Sequence, residues 1–175
     1  MAQHKDAVIH NNQLIMVPDE SGNIAKIFLG IKLDSLHFAL GNLAHNLPKG
    51  NYFLANSDQF NNKELFNICL GFGLGAYRFD DFKTSPPIVS KLMLPESVNE
   101  AALYTALDAI FLTRDLINQP ANVLNPDTFC KTAKDIAHTF NAQYSVVTGD
   151  ELLTQNFPLI HAVGRASMHS PCLIE

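Results

Sequence analysis

Histidines, cysteines and adjacent acids are the side chains of this sequence that could carry chemistry, and each kind is best judged by its spacing. The seven histidines stand at 4, 10, 37, 45, 138, 161 and 169. They form neither HExxH nor HxH, and no acid four residues on marks out a site, so surface or capping roles are expected. His161, inside an apolar run, is the one expected to be buried with a hydrogen-bond partner. The cysteines Cys69, Cys130 and Cys172 are odd in number, far apart and without a CxxC. That argues against a disulfide framework or a zinc knuckle and fits a reducing cytoplasm. Cys130 falls near the start of a helix, where thiol pKa values drop, but a nucleophile needs a base and the sequence names none. A half-buried structural cysteine is expected there. Asp19-Glu20 and Asp80-Asp81 are adjacent acids that would point in different directions, as solvated charges do.

The run "GFGLG", Gly71 to Gly75, offers a second kind of chemistry, since glycines let backbone amides approach a pyrophosphate at a helix start. The third glycine of GxGxxG is missing, and the run sits inside a helical pattern rather than between strand and helix. Each interior glycine costs ~1 kcal/mol relative to alanine, so three together point to close packing against a neighbouring element.

The 175 residues suffice for one domain and the beginning of a second. Apolar residues make up 47% and charged residues 17%, a globular balance. The net charge of -5, with scattered lysines and arginines, leaves no footprint for a phosphate backbone, so nucleic acid is not an expected partner. The first residues lack the apolar core of a secretory signal, and no later stretch offers 18 uninterrupted apolar residues. A soluble protein, not exported by that route and without a membrane partner, is expected.

Two apolar runs, 14–17 and 24–31, flank turn formers and predict a hairpin. Asp34 or Ser35 is expected to cap a helix with the face Leu36, Leu40, Leu43 and Leu47. Residues 52–55 and 91–95 read as strands, and "KELFNICLGFGLGAYRFDDFK" as a helix. Ser97 with Glu100 suggests a capping box for a helix of about five turns through Leu116. Asn125 before Pro126 starts another helix, with Phe129, Ala133, Ile136, Ala137 and Phe140 on one buried stripe. "AQYSVVTG" reads as a strand, "DELLTQN" as a short helix, "PLIHAVGRAS" as an apolar run with a Gly-Arg turn, and "CLIE" as the start of a strand. Alternating strands and helices predict a layered α/β domain.

Directly after one of the longest apolar helical patterns lies "TRDLINQPANVLNPDTF". Its Arg114, Asp115, Leu116, Asn118, Pro120, Ala121 and Asn122 closely resemble the joint of the leucine aminopeptidase (cytosol aminopeptidase) family. "LGAYRFDDFK" is similar to that family's Gly-x-Tyr-x-Phe-Asp helix end, and "NFPLIHAVGRAS" with "SPCLIE" to its approach to the catalytic domain. The resemblance covers most of the chain from residue 64 onward; the first 60 residues match loosely.

The resemblance implies an α/β fold, a three-layer α/β/α N-terminal domain with a mixed sheet, similar to macro domains. It implies residues 1–118 as that domain, 119–126 as an inter-domain joint and 127–175 as the start of a peptidase domain. The implied parent is a cytoplasmic hexamer that uses two divalent metal ions, Zn or Mn, to release N-terminal amino acids from peptide substrates. The family's metal ligands lie in motifs of the type Asp-x-Gly-Gly and Asn-Thr-Asp-Ala-Glu-Gly-Arg, which this sequence lacks. A truncated chain or proteolytic remnant is therefore expected, with no catalytic or metal residue of its own.

Within the joint, proline bars helix continuation. Asn118, Asn122 and Asn125 are suited to satisfying freed backbone groups, and Arg114 with Asp115 to fixing the angle between halves. Two other readings stay open. One is a macro-like nucleotide or ADP-ribose pocket near Gly71 to Gly75; the other is an assembly role for the apolar stretches Phe129 to Phe140 and Leu159 to Val163.

Overall fold

The computed structural model describes residues 9–175, apart from the side chains of residues 33–35. His4 and the expected cap at Asp34 or Ser35 lie outside the described residues. The chain divides into two compact units, one ending at Arg114 and one running Asp115–Glu175.

The first unit opens with the expected hairpin. β1 (Leu14–Pro18) pairs antiparallel with β2 (Ile24–Leu29), Met16 opposite Ile27. Asp19 makes the turn by accepting from the Ser21 and Asn23 amides, both at 2.9 Å, and Gly22 takes the left-handed φ of 85°. The single helix expected over Leu36 to Leu47 is instead two short pieces, a 3-10 turn at Leu33–Phe38 and α1 (Leu43–Asn46). Leu36, Leu40 and Leu47 are nonetheless buried, so the apolar spacing marks the core face although the backbone is not one helix.

The cause of the break lies in α2 (Asn62–Gly75), which carries the three glycines. Glycines at i, i+2 and i+4 point to opposite sides of a helix, the first and third together and the second away from them. A Cβ on Gly71 would stand 2.6 Å from the His37 carbonyl oxygen, and one on Gly75 would overlap the Gly41 carbonyl. On the other side, a Cβ on Gly73 would meet Leu107 Cδ1 at 2.6 Å. The segment 37–41 thus lies flush on the glycine backbone of α2. An unbroken helix there would set its own side chains against α2.

α2 starts at a reciprocal cap: Asn61 accepts from the Glu64 amide at 3.0 Å, and Glu64 accepts from the Asn61 amide at 2.9 Å. α3 (Glu100–Asn118) starts two residues later than Ser97 would have placed it. Asn99 is the cap, accepting from the Ala102 amide at 3.0 Å. Leu65 and Cys69 of α2 pack on Leu103 and Leu107 of α3 and on Val98, while Ile68 packs on Leu36 and Leu40. α2 is the element common to both halves of this core.

β3 (Gly50–Tyr52) lies parallel to β4 (Ser90–Leu92), and in the second unit β5 (Val146–Thr148) lies antiparallel to β6 (Cys172–Ile174). Among the described residues the strands form three two-stranded sheets, not the single mixed sheet of a three-layer α/β/α arrangement. Prolines bracket the β3–β4 pair. Pro48 precedes β3, Pro86 and Pro87 precede β4 and Pro95 follows it, each withholding the amide that a longer ladder needs.

In the second unit, α4 (Pro126–Thr139) is followed by β5, α5 (Glu151–Thr154), α6 (Pro158–Gly164) and β6. "PLIHAVG", read from sequence as an apolar run before a turn, is helical because Pro158 at its start presets the first turn. Leu152 is fully enclosed, with Val147 and Ala137 also buried. The stripe expected to be buried on α4 is mostly open: Phe129, Ile136 and Phe140 are exposed, Ala133 is half-buried, and only Ala137 is buried. This unit's short elements supply no layer broad enough to bury both sides of α4.

Candidate functional site

At the joint, the last bond of α3 runs from the Gln119 amide to the Asp115 carbonyl, 3.0 Å. Pro120 has no amide to continue the ladder, and its carbonyl instead accepts from both Val123 and Leu124 at 2.9 Å, closing a tight turn. Asn125 then starts α4, accepting from the Thr128 amide at 3.1 Å while Thr128 Oγ1 accepts from the Asn125 amide at 2.9 Å. The same hydroxyl reaches the Val123 carbonyl at 2.8 Å, so one threonine joins the turn to the helix. Asn122 lies exposed in the turn, and Asp115 and Asn118 each have an interaction of their own.

Arg114 serves its own unit. Its Nη1 donates to the Leu74 carbonyl at 3.0 Å, and its guanidinium stands 5.2 Å over the Tyr77 ring. A cation on the last carbonyls of α2 offsets the negative end of that helix. Tyr77 in turn packs against Phe111 of α3, ring centres 5.2 Å apart.

The start of α4 forms one wall of an open groove of about 680 Å³, with Leu124, Pro126, Phe129, Leu159, Val163 and Cys172 among its lining. No carboxylate, lysine, arginine or histidine lines it. A smaller polar depression of about 310 Å³ contains Asp150, His161, Arg165, Ser167 and Ser170. His161 is half-buried, and its Nε2 lies 3.1 Å from Asp150 Oδ1, so it has the partner expected for it. A similar pair joins His169 Nδ1 to Asp127 Oδ2 at 2.8 Å. In both pairs the carboxylate is largely exposed, as in surface ion pairs. Their partners are 11 and 42 residues apart, which is why helical spacing could not reveal them.

Among the described residues, no three His, Cys, Asp or Glu side chains converge in a way that could hold a metal ion. Asp80 accepts from the Ser85 hydroxyl at 2.7 Å and Asp19 makes its turn, so the adjacent acids are local surface groups. The glycine run lies nine or more residues into α2, where amides are taken by the helix and the glycine faces are filled.

One juxtaposition escaped the sequence. Cys130 of α4 and Cys172 of β6 lie with their sulfurs 2.9 Å apart although 42 residues separate them. Both are half-buried. Burial, and then the Cys130 thiol beside it, pushes the Cys172 thiol up to about 12.

Residues 6–95 match the profile described as the M17 aminopeptidase N-terminal domain, and residues 111–175 that of the cytosol aminopeptidase family catalytic domain. The chain belongs to the M17 cytosol aminopeptidase family. It is 31% identical over 141 residues to a probable cytosol aminopeptidase of Treponema denticola, covering 74% of this chain and 28% of that one. The crystal structure of cytosol aminopeptidase from Coxiella burnetii superposes with a TM-score of 0.85 at 32% identity, over 93% of this chain and 35% of that one. The bottromycin maturation enzyme BotP, solved in complex with Mn, shares the fold at a TM-score of 0.78 and 24% identity, over 97% of this chain and 40% of BotP. The fold is therefore the mixed α/β arrangement of the amino-terminal region of M17 enzymes. The chain spans a quarter to two-fifths of the length of these relatives. No helix among the described residues is long and apolar enough to cross a membrane.

Proposed function

We propose that this chain is the amino-terminal part of a dinuclear-metal leucyl aminopeptidase that releases N-terminal amino acids from peptides, and that its own contribution is architectural. The observation that carries this reading is the succession of two family matches, 6–95 and 111–175, with the proline turn of the joint inside the second. The described residues do not fit a two-metal centre, since no three candidate ligands converge, and the metal-ligand motifs named above are missing from the sequence. Zn or Mn would belong to ligands this chain does not carry.

On this reading, residues 1–118 form the outer domain, 119–126 the joint and 127–175 the opening of the peptidase domain. Asp115, Asn118, Pro120, Asn122 and Asn125 act as structural residues of an elbow, and Arg114 anchors the helix that leads into it to α2. The open stripe of α4 and the groove beside α6 are the kind of apolar surface that a larger catalytic domain buries. The parent assembles in the cytoplasm as a homo-hexamer, in which the outer domain shapes access for peptides. The macro-like nucleotide or ADP-ribose reading has less support, because the glycine faces it relies on are occupied by His37, Gly41 and Leu107.

The test is direct. The purified 175-residue chain, loaded with excess Mn or Zn, is incubated with a leucyl amide substrate. No metal-dependent release above buffer is expected; turnover that follows the chain through purification overturns the assignment.

A further inference from the structure

We propose that Cys130 and Cys172 are a redox-closable pair, two thiols that a low-molecular-weight disulfide such as oxidised glutathione converts into an intramolecular cystine tying α4 to β6. A disulfide bond is ~2.0 Å long, so the observed 2.9 Å leaves a closure of about 0.9 Å (2.9 − 2.0). Fixed backbone, not chance approach, brings the sulfurs together. The Cys130 carbonyl accepts from the Tyr144 hydroxyl at 3.1 Å, which anchors that turn of α4. Cys172 sits in the β5–β6 ladder opposite Thr148, and the Gly149 amide holds the preceding Pro171 carbonyl at 2.9 Å. Gly164 of α6 lies so close to Pro171 that a Cβ there would overlap the proline ring.

The chemistry balances as ordinary thiol–disulfide exchange. One cysteine thiolate attacks a sulfur of oxidised glutathione, breaking its S–S bond and releasing one glutathione thiolate. The second cysteine, giving up its proton, displaces the remaining glutathione and forms the Cys130–Cys172 bond. The pair is oxidised by two electrons, and one oxidised glutathione is reduced to two glutathiones. Cys172 lines the open groove, so the oxidant has a route in. Cys69 stands apart, at 2% exposure in the core of the first unit. Burial raises the Cys172 thiol, so the thiolate is scarce at neutral pH and closure quickens as pH rises. Once closed, the bond pins the α4 rim of the groove to the strand beside it.

The experiment uses the full chain treated with oxidised glutathione, then read by intact mass and by peptide mapping without reduction. The expected product is a single chain lighter by two hydrogens, with one Cys130–Cys172 peptide and only Cys69 left to alkylate. Hydrogen exchange in α4 and β6 should slow in that product and recover with dithiothreitol. As a control, Cys130→Ser and Cys172→Ser should each stop at a mixed disulfide with glutathione. Persistence of three free thiols, glutathione retained on both cysteines of the unsubstituted chain, or bridges that join two chains or enlist Cys69 would overturn the assignment.

Discussion

Replacing Gly71 by alanine puts two opposed effects in direct competition. In an open helix interior alanine is better than glycine by ~1 kcal/mol, so a glycine kept for no structural reason should yield a stabilised variant. Here the new methyl carbon would lie 2.6 Å from the His37 carbonyl oxygen and 3.0 Å from its carbon, about 0.8 Å short of ordinary contact at 3.4 Å (3.4 − 2.6). Both partners are backbone, so neither can swing aside, and relief requires α2 to part from the 37–41 segment. Overpacking of this kind costs typically 1–3 kcal/mol. Taking the upper value because both sides are backbone, the net loss is about 2 kcal/mol (3 − 1). At ~1.4 kcal/mol per decade, that is roughly a 30-fold rise in the opening equilibrium. Hydrogen exchange of peptides covering residues 62–75 reads that opening in the first unit, whatever the second unit does. Gly73→Ala is the internal comparison: its obstacle is the Leu107 side chain, Cδ1 at 2.6 Å and Cδ2 at 2.7 Å, and not backbone, so its loss should be smaller. Exchange in Gly71→Ala that slows about fivefold, as propensity alone dictates at ~1 kcal/mol, would refute the close-approach argument.

Arg114→Ala should cost about 1–2 kcal/mol, from a charge-assisted bond to the Leu74 carbonyl and a cation over Tyr77, and should loosen the end of α2 first. Arg114→Lys should recover only part of this in thermal melts, and an unchanged melt for the alanine variant would remove Arg114 from the structural account. Alkaline stability tests the buried thiols: burial raises Cys69 from 9.0 to about 11 and Cys172 from 9.0 to about 12. A folded-state pKa above the unfolded one favours the protonated fold, so that stability is fully present below pH 9 and is lost as pH climbs through 11 to 12. Denaturant melts should show a slope between pH 9 and 11 that becomes shallower in Cys69→Ala; equal slopes in both proteins would contradict it.

What the sequence showed and what it withheld divide along a physical line. Local chemistry was legible: the Asp19–Gly22 turn, the Asn125–Pro126 start of α4 and the helical spacing of Leu65, Ile68 and Cys69 all depend on residues within a turn or two of each other. The α3 start was misplaced by two residues because Ser97 and Asn99 are both good caps, and only the fold selects between them. Non-local facts were hidden. Nothing near Leu36 to Leu47 announces that this segment must lie on the glycine backbone of α2, and so must break. Nothing near Cys130 reveals Cys172, or near His161 and His169 the acids they meet. The glycine run was legible as packing because its cost within a helix demands a steric reason, yet the neighbours that supply it come from two other elements. The joint was recognisable by family resemblance, whereas Arg114 binds inside the unit it ends, a detail that pattern alone could not supply.

α3 runs unbroken from Glu100 to Asn118, yet the two compact units divide between Arg114 and Asp115, inside its last turn. The division therefore falls in helical backbone and not in a loop. Anyone recombining pieces from different relatives would do better to splice in the proline turn after residue 119, where the backbone bonding is self-contained, than at the seam, where a cut would unravel a helix belonging to both neighbours.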